Sequence, residues 1–130
     1  MQDSKSEDHA AIKEIVELYI AGGKSGNPEV MSDAFHKDAT IYGWIYSKTE
    51  ESIENIEVAG PIQLLYDFVN EIGPADQLKA DFVRIDIVGT SANVKLELYN
   101  WKGIRFTDTL NLIKKDNRWR IVNKIFDQIV

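Results

Sequence analysis

The sequence predicts an α+β fold in which helices pack on one face of a mainly antiparallel sheet. Three observations carry this reading. Apolar residues up to Ile72 recur mostly at helical spacing. From Phe82 onward they alternate with a period of two. The chain then closes with a hairpin, Ile104 to Phe126, around the polar turn Lys115-Asp116-Asn117. Helices that come early and strands that come late place the helices on one side of a sheet.

The first helix spans about Ser6 to Lys24. Ile12, Ile15, Val16, Tyr19 and Ile20 form one apolar stripe, and Lys13, Glu14 and Glu17 fill the outer side. Gly22, Gly23 and Gly26 are expected to end it. Asn27-Pro28 opens a short second helix, because Asn caps and Pro suits the first helical position. Ala39 to Tyr46 reads as a strand with Ala39, Ile41, Gly43 and Ile45 on one face and Tyr42, Trp44 and Tyr46 on the other. The acidic stretch Ser47 to Glu57 lacks a period and is expected to be a loop, either a solvated connector or a cover for a pocket mouth. Gly60-Pro61 is expected to open a third helix with the stripe Ile62, Leu65, Phe68, Val69 and Ile72, stopped by Gly73-Pro74.

The strands follow. Phe82 to Val88 groups Val83, Ile85 and Ile87. Asn93 to Trp101 places Val94, Leu96 and Leu98 on one face and Lys95, Glu97, Tyr99 and Trp101 on the other. In the closing hairpin Phe106, Leu110 and Leu112 share a face with Asp108, while Trp119, Ile121 and Ile125 share a face of the last strand. Residues 1–7 are expected to be a flexible leader and 8–130 a single domain, which suits the chain's 130 residues.

Composition excludes several functions. The net charge of -6 argues against a basic nucleic-acid or membrane surface. The basic residues Lys114, Lys115, Arg118 and Arg120 around the hairpin turn read as solvated charges. With no cysteine, disulfides, thiol catalysis and Cys-ligated zinc are excluded, and His9 and His36 alone make a His-rich metal site unexpected. No cofactor is implied. No apolar run reaches the roughly 20 residues of a membrane span, and the polar N-terminus is unlike a signal peptide, so a cytoplasmic protein is expected.

Several segments together resemble the nuclear-transport-factor-2-like superfamily, within it the SnoaL-like proteins and the group named for lumazine binding. They are Tyr19-Ile-Ala-Gly-Gly23, Ala34-Phe-His-Lys-Asp-Ala-Thr-Ile41, Phe106-Thr-Asp-Thr-Leu-Asn-Leu-Ile113 and Arg118-Trp-Arg-Ile-Val-Asn-Lys124. The resemblance covers nearly the whole chain. It implies a cone-shaped domain whose curved sheet encloses a pocket against the helices, and a homodimer formed through the sheet. In ketosteroid-isomerase-like members a tyrosine of the first helix donates to the reacting oxygen, and Tyr19 resembles that position. Their general base stands on the first strand where this chain has Gly43, which speaks against steroid-type isomerisation. Asp108 resembles their second acid.

Asp108, His36 and Tyr19 are therefore the catalytic candidates. An aspartate on an apolar face is desolvated, which favours its neutral, donating form. The alternative is that it pairs with Arg105 or Lys102, or that a bulge turns it outward. His36 needs a partner such as Asp38 or Asp108 to work as an acid or base; otherwise it caps the turn before the first strand. Tyr19, Tyr42, Trp44, Phe68 and Phe106, with Asp108, are the expected ligand-binding residues, since aromatics suit a planar ligand. Tyr99 and Trp101 are expected at the dimer interface. The expected function is binding of a small hydrophobic or cyclic ligand. The alternative is a lyase or isomerase using Asp108 or His36 as acid–base, and a weaker reading is an interaction module that uses its sheet face.

Overall fold

A computed structural model describes residues 4–48 and 53–129. In chain order it contains α1 (Ser4–Ser25), α2 (Pro28–Ser32), β1 (Phe35–Lys48), β2 (Ile53–Pro61), α3 (Gln63–Ile72), β3 (Lys79–Val88), β4 (Ser91–Trp101), β5 (Ile104–Lys115) and β6 (Arg118–Ile129). The strands form one six-stranded sheet in the order β2-β1-β6-β5-β4-β3. Every neighbouring pair is antiparallel except β1 and β6, which run parallel. The sheet is curved and open, and the helices lie against its concave face: the α+β cone that the sequence predicts.

α1 buries Ile12, Val16 and Tyr19 completely, the stripe expected from its spacing. It starts at Ser4, two residues earlier than its apolar pattern, so the segment read as a leader is helical from there. Its glycines do not all act as stops. Gly22 and Gly23 lie inside the helix, where a β-carbon on Gly22 would come within 2.5 Å of Met31 Cβ and one on Gly23 within 2.9 Å of the Trp101 ring. They let α2 and Trp101 approach closely; Gly26, at φ +65°, makes the turn. Asn27 then caps α2, its side-chain oxygen accepting from the Glu29 and Val30 N–H groups at 3.0 and 3.4 Å. Asp8, at the start of α1, accepts from Trp119 Nε1 at 3.0 Å and Lys114 Nζ at 2.9 Å, so Lys114 ties helix to hairpin.

Residues 53–57 of the expected loop belong to a strand; residues 49–52 of it lie outside those described. β2 pairs antiparallel with β1 from Ile53 to Pro61. It is an edge strand whose side chains are mostly exposed, with Val58 half-buried, so burial imposes no strong alternation on it. Pro61 consequently ends a strand, and α3 begins after it at Gln63. Ile62, Leu65 and Val69 are buried beneath α3 as its stripe predicts.

Three bulges reset which residues face the core. In β3 the register shifts between Phe82 and Arg84, so Phe82 turns in with Ile85 and Ile87, and Val83 is left exposed. In β4 it shifts between Leu98 and Trp101, with Asn100 at φ +63°. Trp101 therefore joins Leu98 in the core, 1% exposed, rather than the outer face expected for a dimer contact. Tyr99 stays outside, stacked beneath Arg105. In β6 an extra residue, Val122, stands where Asn111 and Leu112 of β5 pair with Asn123 and Ile121. Beyond it Lys124 and Phe126 face inward and Ile125 outward, reversing the expected inward Ile125. The hairpin turn is a two-residue loop, Asp116-Asn117, with both residues at positive φ. This primed turn matches the twist of the flanking strands.

Candidate functional site

The concave face of the sheet and α3 line a cavity of about 100 Å³. Ile41 and Ile45 of β1, Val58 of β2 and Leu64, Leu65 and Phe68 of α3 line one side. Trp101, Phe106, Lys124 and Phe126 line the other. The rings of Trp101, Phe106 and Phe126 meet edge to face at 6.2 and 5.7 Å between centroids. The wall is apolar except at Lys124.

Behind that wall three strongly polar side chains are buried together. Lys124 Nζ donates to the Tyr19 hydroxyl at 2.5 Å, and that hydroxyl donates to Asp108 Oδ2 at 2.5 Å. Nζ also stands 3.5 Å from Asp108 Oδ2. The elements that bring them together are α1, β5 and the far side of the β6 bulge. The ammonium lies 4.7 Å from the Tyr19 ring centroid and 5.4 Å from those of Trp101 and Phe126, where ring faces attract a cation. Two buried polar side-chain atoms among the described residues have no hydrogen-bond partner, Trp101 Nε1 and Asp108 Oδ1, and both belong to this cluster. Unpaired buried polar atoms are rare and costly, so their occurrence around one buried amine points to a role other than stability.

Burial dominates the electrostatics. It pushes the Asp108 carboxyl up from its ordinary value, against the opposing pull of Lys124 and the Tyr19 hydrogen bond. It pushes the Lys124 amine down, with Asp108 opposing. Tyr19 is raised well above an ordinary phenol, first by burial and then by the nearby carboxylate. The triad thus holds an amine, a phenol and a carboxyl in contact in a dry place, with the Tyr19 hydroxyl between the other two.

The expected residues divide. Tyr19 and Asp108 are hydrogen-bonded to each other, and Asp108 pairs with Lys124 rather than Arg105 or Lys102; Arg105 pairs with Glu97 at 3.6 Å. Phe68 and Phe106 line the cavity. Tyr42 and Trp44 do not: they sit on the opposite face of β1, 45% and 38% exposed. His36 is also elsewhere. It lies beside Ile113, Arg118 and Arg120, and its Nδ1 accepts from the Asp38 N–H at 3.0 Å, which caps a turn. Gly43 is more than a missing acid. A β-carbon there would collide with the Phe126 carbonyl and come within 2.5 Å of its ring, so Phe126 fills the place a base would need. Lys124, Trp101 and Phe126 are the residues sequence reasoning missed. Their only signal was a bulge that a period-two pattern cannot reveal. Among the described residues, no group of three His, Asp or Glu side chains is placed to hold a metal ion.

Residues 7–127 match the family described as "Putative lumazine-binding". The chain belongs to that family. Solved NTF2-like structures share its architecture. The chain is 33% identical to an NTF2-like protein of unknown function from Shewanella baltica, with a TM-score of 0.85 over 99% of both chains. An NTF2-like protein of unknown function from Methylobacillus flagellatus is 39% identical, with a TM-score of 0.81 over 95% of this chain and 94% of the other. Among curated proteins, Aldolase FrzH of a Cladobotryum species is 29% identical over 93% of this chain and 91% of its own length. Within this NTF2-like family member, no described helix is long and apolar enough to cross a membrane.

Proposed function

We propose that this chain binds a small hydrophobic or cyclic molecule in the cone pocket, and that Lys124 anchors an oxygen of that molecule. The observation that carries the reading is a cavity apolar on every side except for one buried cation held in place by Tyr19 and Asp108. Few, fixed polar groups in an apolar cleft are what orient a small ligand. The family description supports ligand binding. Lumazine itself suits this wall poorly. A pteridine carries donors and acceptors along several edges, and burying them against Ile41, Leu65, Phe68 and Phe126 would leave most unpaired. A ligand with one carbonyl or other oxygen on an apolar body suits it better.

A second reading is supported by the same triad and by the relative named an aldolase: a lyase or isomerase acting on such a carbonyl compound. Asp108 then serves as the proton store, and Tyr19 passes protons rather than touching the ligand, because its hydroxyl is engaged on both sides. His36 has no part in this version.

The test is a thermal-shift screen of cyclic ketones and aromatic carbonyl compounds, followed by calorimetry on Lys124→Met. One lost charge-assisted hydrogen bond is worth about 1.5–3 kcal/mol, so Kd should rise about 10- to 100-fold. If no compound raises the melting temperature, or if Lys124→Met binds as tightly as the parent, the reading is wrong.

A further inference from the structure

Lys124 has surroundings that a simple anchoring cation does not need. Burying an amine costs free energy, and anchoring a ligand's oxygen does not by itself call for a proton acceptor beside that amine. Here the amine is 4% exposed. Tyr19, Trp101 and Phe126 surround it, and a fully buried carboxyl stands 3.5 Å away. That carboxyl keeps one oxygen without a partner. A compact amine on a flexible stem, desolvated and placed beside a group that can take its proton, is how a lysine is made nucleophilic. Burial acts on both partners in that direction, lowering the amine and raising the acid.

We propose that Lys124 forms an imine with the carbonyl carbon of a small aldehyde or ketone held in the cone pocket. This rests on the binding reading above. The pair starts as ammonium and carboxylate. Tyr19, bonded to both, gives its hydroxyl proton to Asp108 Oδ2 and takes one from Nζ, leaving a neutral amine and a neutral acid. The Nζ lone pair forms the C–N bond while the carbonyl π pair moves onto oxygen. One Nζ proton passes to that oxygen, giving a carbinolamine. Asp108 returns its stored proton through Tyr19 to Nζ, Nζ hands a proton to the departing hydroxyl, the C–O bond breaks and water leaves. In sum, ammonium and carbonyl become a protonated imine and water, Asp108 ends as carboxylate, and nothing is oxidised or reduced.

The experiment treats the full chain at neutral pH with benzaldehyde and sodium cyanoborohydride, which reduces an imine to a stable benzylamine. Peptide mass spectrometry then locates the label. Lys124 should gain a benzyl group at least about tenfold faster than the exposed lysines, since a pocket that holds the aldehyde beside Nζ raises its effective concentration there. Tyr19→Phe, which removes the relay but keeps the ring, should slow labelling by about tenfold or more. Benzaldehyde's effect on tryptophan fluorescence, recorded without the reductant, reports binding separately. Labelling of Lys124 no faster than that of surface lysines, with the fluorescence response intact, overturns the imine and leaves binding standing. Loss of both signals overturns the two together.

Discussion

At the scale of single residues, Asp108, Tyr19 and Lys124 are arranged against stability. Burial lifts the Asp108 pKa, so folding becomes less favourable as pH rises from the ordinary carboxylate value of about 4 through the raised one. Burial lowers the Lys124 pKa, so folding becomes more favourable as pH rises from the lowered value toward the ordinary lysine value of about 10.4. At neutral pH both groups therefore carry a cost. Replacing a buried charged cluster with apolar side chains of similar volume is often neutral or stabilising by about 1–4 kcal/mol. The triple variant Tyr19→Phe/Asp108→Leu/Lys124→Met should keep the fold, match or exceed the parent in urea denaturation within that range, and lose ligand binding. A triple variant that unfolds would assign the cluster to the fold instead. Asp108 was legible in the sequence because a charged residue interrupted an apolar face. Lys124 was not, since on an unbroken strand it would have pointed outward with Arg118 and Arg120.

At the scale of elements, the bulges decide what the pocket contains. A strand's period of two survives only while its ladder is regular, and one extra residue moves every later side chain to the other face. Val122 does this for Lys124 and Phe126, and the turn at Asn100 does it for Trp101. The sequence had assigned Trp101 outward and Ile125 inward on an unbroken period, and both assignments fail at these points. β2 escaped notice for a different reason: an exposed edge strand buries too little to impose alternation. The helical stripes of α1 and α3 were legible because their burial is one-sided and continuous. Asn100 holds its bulge at φ +63° and accepts from the Gly103 N–H at 3.0 Å. Asn100→Ala keeps a β-carbon in left-handed backbone but removes the side-chain hydrogen bond that offsets it. It should cost about 1 kcal/mol in chemical denaturation, and Asn100→Gly, which relieves the β-carbon, should cost less. Equal losses in the two variants would mean that the backbone angle is not what the asparagine supplies.

At the scale of the whole molecule, the cone gathers one side chain from its first helix and two from its last two strands at a single dry point. The parallel contact of β1 with β6 and the close approach of Gly43 to Phe126 complete that wall. What remains open to a ligand is an apolar cleft with Lys124 in its wall. Whether the cone closes over that amine as described is measured most directly by its titration. Carbon-13 labelling of the lysine ε-carbons allows each amine to be followed by NMR across pH in the parent and in Asp108→Asn. The account predicts a Lys124 midpoint below that of the exposed lysines, lowered further in Asp108→Asn because the carboxylate's attraction opposes the effect of burial. A midpoint equal to that of the exposed lysines, unmoved by Asp108→Asn, would contradict it.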